Sequence, residues 1–307
     1  MIYPNVTRAI GRTSLVELPK LASGTSGRLL AKLEMQNPWG SVKDRVGLAL
    51  IEDAEARGLI APGSTLIEAT AGNTGMALAG IAAVKGYRLI LVMPEVMSEE
   101  RVVVLRRLGV DVRLTPGILM ADAVRLAEQL HHDTPRAFLV NQFMNPVNVA
   151  THRQTTAEEI WTDTLGNVDI LVATVGTGGT LMGVGSVLKE RRPGVHIVAV
   201  EPASSAVLSG GVGGQHRIPG IGAGFVPPLF DRSIVDEVIA ISDDDALATT
   251  RLLARREGIS AGISSGAAIH ASRVVLHRPE MTGKTAVAIL PDAGDHYVRS
   301  GLFGDVA

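Results

Sequence analysis

The chain has 307 residues, 46% hydrophobic and 20% charged, so it can bury a large core, and its length suggests two lobes. Its 29 basic and 31 acidic side chains leave a net charge of −2 without a basic stripe, which excludes the usual electrostatic footprint of a nucleic-acid or membrane-surface binder. It has no cysteine, which excludes disulfides, thiolate metal sites and cysteine nucleophiles and favours a cytoplasmic location.

Short apolar runs that predict buried strands alternate with helical patterns along most of the chain. The predicted strands are Thr65–Ala69, Arg88–Met93, Asp111–Leu114, Ala137–Val140, Asp169–Thr174, His196–Val200 and Thr285–Leu290. The predicted helices include Thr74–Lys85, Glu99–Leu108, Ala121–Leu130, Thr155–Thr162 and Ala246–Glu257, with Ser98 and Ser242 as helix caps. Buried strands that alternate with helices are typical of parallel sheets covered on both faces, so the predicted fold class is α/β.

The first candidate catalytic residue is Lys43, which follows a turn containing Pro38 and Gly40 and begins an apolar-periodic helix. A lysine on a rigid element can form a Schiff base with a carbonyl compound once its pKa is lowered. Most lysines at helix starts are simply solvated. The interpretation of Lys43 therefore depends on the other turns of the chain.

Two glycine-containing turns each connect a predicted strand to a helix. Free N–H groups at a helix N-terminus bind anions, and glycine lets a ligand approach the backbone, so Thr70–Gly75 and Gly176–Thr180 are candidate anion sites. The second turn also partly matches a dinucleotide fingerprint, with Glu201 as the ribose-binding acid. A dehydrogenase is therefore an alternative, although it leaves Lys43 unexplained.

A third turn, Gly262–Gly266, opens the helix Ala267–Leu276, and its serines predict either a helix cap or a hydroxyl that meets a ring nitrogen. The glycine-rich stretch 204–228 predicts a functional loop. His152 and His196 have no metal-ligand partner at usable spacing and are interpreted as structural, so no metal is predicted. The uncharged run Ile170–Leu188 is long enough to span a membrane, but five glycines interrupt it, and we expect no membrane partner.

Taken together, these features resemble the fold-type II pyridoxal-phosphate enzymes, which are tryptophan synthase β-like, and within them the cysteine synthase (O-acetylserine sulfhydrylase) and cystathionine β-synthase family. The segments that carry the resemblance are 10–16, 32–34, 37–45, 70–75, 93–94, 142–143, 145–146, 176–180, 220–227, 262–266 and 290–292. They occur in the family's order and spacing over nearly the whole chain.

The resemblance implies a role for each candidate residue. Lys43 would be the catalytic lysine that holds pyridoxal 5′-phosphate. The other cofactor-binding residues would be Asn73 at the phenolic oxygen, Ser264 at the pyridine nitrogen, and Gly176, Thr177, Gly178, Gly179 and Thr180 at the phosphate. The substrate carboxylate would bind Thr70, Ala71, Gly72, Asn73, Thr74 and Gln142.

The implied reaction is β-replacement on O-acetylserine by sulfide, through an aminoacrylate intermediate, giving cysteine and acetate. The family usually has serine at position 71, and here Ala71 removes one hydroxyl. The segment 68–75, which contains this change, and the stretch 210–216 resemble the branch that joins O-acetylserine to homocysteine, so a cystathionine-forming activity is an alternative. O-Phosphoserine is an alternative donor.

The resemblance also implies an organisation and partners. Residues 40–148 would form a small mobile substrate-binding lobe, and 1–39 with 149–307 a large cofactor-binding lobe. The protein would be a homodimer acting on small molecules, and it would also be a candidate partner of serine acetyltransferase.

Overall fold

The computed structural model describes residues 2–96, 99–117 and 119–300, and it confirms the α/β fold class. The strands are β1 (Leu15–Glu17), β2 (Arg28–Leu33), β3 (Thr65–Ala69), β4 (Arg88–Pro94), β5 (Asp111–Thr115), β6 (Ala137–Leu139), β7 (Ile170–Thr174), β8 (His196–Pro202), β9 (Glu237–Ile241) and β10 (Thr285–Leu290). The helices are α1 (Lys43–Ala56), α2 (Asn73–Lys85), α3 (Glu99–Arg107), α4 (Met120–Asp133), α5 (Val147–Gln154), α6 (Thr156–Asp163), α7 (Gly179–Arg191), α8 (Asp243–Leu252) and α9 (Ile263–Leu276).

One compact unit comprises residues 1–10 and 43–147. Its sheet has the order β5-β4-β3-β6, and these neighbouring strands pair in parallel. Ala123 and Ala127 of α4 pack on one face of this sheet, against Ile67, Ile90 and Val92. Because the strands are parallel, the turns that follow β3 and β6 leave the same edge of the sheet.

The other unit comprises residues 11–42 and 148–307. Its sheet has the order β1-β2-β10-β7-β8-β9, in which β1 pairs antiparallel to β2 and the remaining neighbours pair in parallel. Apolar residues of α8 and α9 pack on one face of this sheet, and those of α6 and α7 pack on the other. Both faces are therefore buried, which explains the near-continuous apolar runs of the central strands.

Some elements differ from the sequence prediction. Strands β1, β2 and β9 and helix α5 were not predicted. The predicted helix Ala246–Glu257 begins earlier, at Asp243, and ends in a π-helical turn, Leu253–Glu257. Ser242 caps α8 as predicted, because its hydroxyl accepts the backbone N–H of Asp245 at 3.1 Å. The predicted cap Ser98 lies outside the described residues.

The uncharged run 170–188 forms β7, a turn and most of α7. Within the described part of the chain, we find no helix of the length and apolarity needed to cross a membrane.

Candidate active site

Lys43 is the first residue of α1, and the segment before it is fixed by backbone hydrogen bonds. The N–H of Val42 donates to the carbonyl of Pro291 at 2.8 Å, and Ser41 forms an isolated β-bridge with Asp292. Gly40 has a φ of +79°, the left-handed region that favours glycine. The Pro-Trp-Gly turn thus ends in an anchored strand-like segment, and the lysine that follows it is half-buried.

The turn Thr70–Gly75 connects β3 to the N-terminus of α2. The Thr70 hydroxyl accepts the N–H of Gly72 at 3.2 Å, and the N–H of Gly75 closes the first turn by donating to the Gly72 carbonyl at 3.1 Å. Ala71, Gly72 and Asn73 are half-buried, whereas Thr70 is buried. The first N–H groups of a helix have no carbonyl within the helix to bind, so this end of α2 offers donors to an anion.

Gln142 joins this turn from the chain that follows β6. The hydroxyl of Thr74 donates to Gln142 Oε1 at 2.6 Å, and both side chains are buried. The sequence places these residues far apart, and the parallel sheet brings them together at one edge. The predicted substrate-binding residues Thr70–Thr74 and Gln142 therefore occupy one end of the first unit.

The turn Gly176–Thr180 connects β7 to α7 in the second unit. Gly178 has a φ of +86°. A Cβ on Gly176 would lie 2.4 Å from the Gly220 carbonyl oxygen, and a Cβ on Gly179 would lie 1.9 Å from Asn148 Oδ1. These positions have no room for a larger side chain, so the close packing of this turn requires glycine at 176 and 179.

Two residues of α5 support this turn from behind, and the sequence alone did not connect either of them to the turn. Asn148 Nδ2 donates to the Thr177 hydroxyl at 3.0 Å. The fully buried His152 lies between two threonines, with Nδ1 2.8 Å from Thr156 Oγ1 and Nε2 3.2 Å from Thr180 Oγ1. His152 is thus structural, as interpreted, but its ring fixes a hydroxyl of the predicted phosphate turn.

Ser264 is the second residue of α9 and is 3% exposed. Its neighbour Ser265 is fully buried, and within the described residues its hydroxyl has no hydrogen-bond partner. A Cβ on Gly262 would lie 2.0 Å from Asp292 Oδ1, and Tyr297 donates its hydroxyl proton to the other oxygen of Asp292 at 2.5 Å. The N-terminus of α9 is therefore tightly packed and rich in hydroxyl groups.

The residues of the second unit fit a phosphate-bearing ring. Its glycine turn combines backbone N–H groups, two threonine hydroxyls and the positive end of α7, which together suit a phosphate. The unsatisfied Ser265 hydroxyl and its neighbour Ser264 suit a polar ring atom. Pyridoxal phosphate has both groups.

Glu201 has a different role from the ribose-binding one considered above. Its carboxylate accepts the backbone N–H groups of Leu208 and Ser209 at 2.7 and 3.0 Å and the Ser209 hydroxyl at 2.6 Å. It therefore holds the 207–209 turn at the start of the glycine-rich stretch, and it gives the dehydrogenase alternative no support.

Glu68 is a buried carboxyl in the middle of an apolar strand, β3. Burial raises its pKa from 4.5 to about 7, against the opposing effect of the backbone N–H groups of Asn141 and Gln142. No role was predicted for it from the sequence, although a glutamate inside an otherwise apolar strand is a visible signal.

This pKa predicts a pH dependence of stability. Between pH 4.5 and 7 the folded chain keeps a proton on Glu68 that the unfolded chain has lost, so the free energy of unfolding falls as the pH rises through this window. Relative to Glu68→Gln, we expect the wild-type free energy of unfolding to fall by about 2–3 kcal/mol between pH 5 and pH 8, given about 1.4 kcal/mol per pKa unit. Urea denaturation across this range measures it, and parallel curves for the two proteins would contradict the raised pKa.

Comparison with known proteins finds similarity along nearly the whole chain. Residues 6–292 match the family described as pyridoxal-phosphate dependent enzyme. Cysteine synthase A of Escherichia coli (strain K12) is 44% identical over 315 residues, which cover 99% of this chain and 97% of that protein. The crystal structure of the cysteine synthase of Entamoeba histolytica is similar with a TM-score of 0.96 and 43% identity, over 100% of this chain and 92% of that one. That of O-ureido-L-serine synthase is similar with a TM-score of 0.95 and 40% identity, over 100% and 97%.

Proposed function

Because the chain belongs to the pyridoxal-phosphate dependent enzymes, we propose that it is a cysteine synthase, which replaces the acetate of O-acetylserine by sulfide to give cysteine. The observation that carries the proposal is the turn at the N-terminus of α2, closed by the hydrogen bond between Thr74 and Gln142. Helix α2 packs against α1, the helix that begins with Lys43, and Gly47 allows their close approach, since a Cβ there would lie 3.0 Å from Ile81 Cδ1. One unit therefore contains both the candidate carboxylate site and the candidate base.

Each half of the chain has a separate task in this proposal. The first unit binds the amino acid: Thr70–Thr74 and Gln142 donate hydrogen bonds to its carboxylate. Asn73 also contacts the phenolic oxygen of the cofactor. The second unit holds the cofactor, with Gly176–Thr180 at its phosphate and Ser264 at its ring nitrogen. The proposed small lobe, residues 40–148, differs from the first unit mainly in leaving out residues 1–10, and the proposed large lobe is 1–39 with 149–307. We propose that the small lobe moves when substrate binds.

Lys43 has two successive roles. Its amine would hold the cofactor covalently, and as a free amine Lys43 Nζ would take the proton from the substrate Cα as general base. Pyridoxal phosphate, when bound, supplies the electron sink that makes this proton acidic. Ser264 is a neutral partner for the ring nitrogen and keeps that sink weaker than an aspartate would, which favours loss and replacement of the β-substituent.

The first experiment is the visible spectrum of the purified protein, recorded before and after addition of O-acetylserine alone. We expect a yellow protein whose absorption band shifts to longer wavelength, because the donor reacts before any nucleophile is present. A yellow protein that responds only to O-phosphoserine would show that O-phosphoserine, and not O-acetylserine, is the donor substrate. A colourless protein that cannot be reconstituted with the cofactor would refute the proposal.

The nucleophile needs its own experiment, because an O-ureido-L-serine synthase has the same fold at 40% identity. With sulfide and homocysteine present together, we expect cysteine as the main product. Predominant formation of cystathionine would favour the alternative that the Ala71 turn suggests.

Ala71→Ser tests what the missing hydroxyl does. The new hydroxyl adds one donor to the candidate carboxylate site, so we expect KM for O-acetylserine to fall by about 5-fold with kcat little changed, the effect of about 1 kcal/mol from one hydrogen bond. Steady-state kinetics with both nucleophiles measures this. Ala56→Ser, at the exposed end of α1, is the matched control. Unchanged donor and nucleophile preferences in Ala71→Ser would exclude Ala71 as the reason for either.

Beyond the active site, we propose a cytoplasmic homodimer that also binds serine acetyltransferase. The similarity to cysteine synthases over the whole chain supports this proposal. Light scattering of the purified protein, alone and mixed with serine acetyltransferase, measures both assemblies, and a monomer that does not change on mixing would contradict the proposal.

A further inference from the structure

Glu68 is a buried acid for which the reaction above has no use. It is the fourth residue of β3, two residues before the candidate carboxylate turn, and is 5% exposed. Its Oε2 accepts the N–H of Asn141 at 2.8 Å, and the N–H of Gln142 also bonds to the carboxyl. A buried carboxyl is retained only where such hydrogen bonds compensate its lost hydration.

These two hydrogen bonds hold the chain at the point where it leaves the sheet. The N–H of Val140 donates to the Ile67 carbonyl at 3.1 Å, and the next residue, Asn141, has a φ of +53°. Asparagine adopts this left-handed region more readily than most non-glycine residues, but its partly buried backbone N–H still needs an acceptor that restrains it. The Glu68 carboxyl provides that restraint, and the residue fixed next is Gln142, whose side chain accepts the Thr74 hydroxyl.

We propose that Glu68 is a positioning residue of the substrate-carboxylate site: by binding the backbone of Asn141 and Gln142 it holds the Gln142 amide against Thr74. The proposal rests on the proposed function, which assigns Gln142 and the 70–74 turn to the substrate carboxylate. Glu68 therefore acts on the turn only through the loop: it binds the backbone of Asn141 and Gln142, and the Gln142 side chain contacts Thr74.

The ionisation of Glu68 should tune this restraint. An ionised carboxylate accepts N–H groups more strongly than a neutral acid does, and the pKa of Glu68 is raised to about 7 by burial. Within the part of the chain that the structure describes, burial, opposed by two backbone N–H groups, accounts for this raised pKa, and no charged side chain contributes.

The charged groups on the neighbouring elements lie away from Glu68 in the sheet. Arg88 pairs with Thr65 at the far end of β4, whereas Glu68 pairs with Leu91, and β6 has no charged residue. Helix α4 contacts the sheet through the buried Ala123 and Ala127. Its charged residues lie elsewhere on the helix, at Asp122, Arg125, Glu128 and 131–133. On α2, Lys85 pairs with Glu55, and Arg101 of α3 donates to the Ala71 carbonyl.

The test compares the binding of L-serine and of ethanolamine to the cofactor-loaded protein. Ethanolamine has the amine and hydroxyl of L-serine but lacks the α-carboxylate. In Glu68→Gln at pH 8 we expect L-serine to bind about 5-fold more weakly, as when a charge-assisted hydrogen bond becomes a neutral one, with ethanolamine unaffected. At pH 6, where wild-type Glu68 is itself mostly protonated, the difference should nearly vanish. The absorbance of the bound cofactor follows both titrations.

Glu201→Gln is the matched control, because Glu201 is also buried and accepts two backbone N–H groups. It should leave the ratio of the two affinities unchanged. Equal weakening of both ligands in Glu68→Gln, or no weakening of either, would overturn the role of Glu68. If wild-type protein does not distinguish L-serine from ethanolamine, the carboxylate site itself is wrong, which is a failure of the proposed function.

A second measurement does not depend on the variant's folding or on turnover. In ¹⁵N-labelled wild-type protein, the amide resonances of Asn141 and Gln142 should titrate together, with the pKa of about 7 that Glu68 has. Amide shifts that stay constant between pH 6 and pH 8 would overturn the proposal.

Discussion

Lys43→Ala is expected to abolish turnover while the protein still folds and binds its cofactor weakly. The variant loses the covalent anchor of the cofactor and the general base, and general-base catalysis alone contributes about 10²–10⁴-fold in rate. The phosphate and ring contacts that we assign to Gly176–Thr180 and Ser264 remain. Loss of kcat by at least about 10³-fold, with the thermal midpoint little changed, is the expected result.

The measurement combines the visible spectrum with kinetics at saturating O-acetylserine. Lys43→Arg should be equally inactive, because arginine keeps the positive charge but does not give up its proton at working pH. Added methylamine should restore part of the rate in Lys43→Ala by supplying the missing base. Lys20→Ala, which removes an exposed lysine, is the control and should turn over normally. Normal turnover in Lys43→Ala would refute the mechanism.

The sequence predicted the parts of the site that are local in the chain. A strand, a short turn with glycine and the start of a helix are adjacent residues, so their pattern alone identifies Thr70–Gly75 and Gly176–Thr180 as strand-to-helix turns. The same reasoning placed Lys43 at a helix start. The resemblance to a family then gave each position an expected role, which local pattern by itself does not supply.

The sequence did not predict the contacts that join distant segments. Strand β2 was missed, and it contains the fully buried Lys32, which donates to the Thr13 carbonyl at 2.6 Å and pairs with Glu159 at 2.8 Å. A lysine in an apolar run argues against a buried strand until its distant acid is known. His152 and Thr180 likewise come together only because α5 and α7 are neighbours in the fold.

Gly179→Ala is expected to damage the cofactor site, because the added methyl group would collide with the side chain of Asn148. The new Cβ would fall 1.9 Å from Asn148 Oδ1, so either the turn or Asn148 must move. Overpacking of this kind costs about 1–3 kcal/mol. Movement of Asn148 would also break its hydrogen bond to Thr177 in the candidate phosphate site. We expect cofactor affinity to fall by at least about 10-fold, which corresponds to about 1.4 kcal/mol.

A compensating change tests whether the clash itself is the cause. Asn148→Ala removes the obstructing amide, so Asn148→Ala/Gly179→Ala should bind the cofactor more tightly than Gly179→Ala alone, a positive coupling measurable by a double-mutant cycle. Gly194→Ala is the matched control, since a Cβ there meets nothing within 4 Å. Cofactor titration by fluorescence gives the affinities of the wild type, the two single variants and the double variant, and that of the control. If the double variant binds no better than Gly179→Ala, the loss comes from the turn's backbone and not from the clash with Asn148, and the supporting role of Asn148 would have to be abandoned.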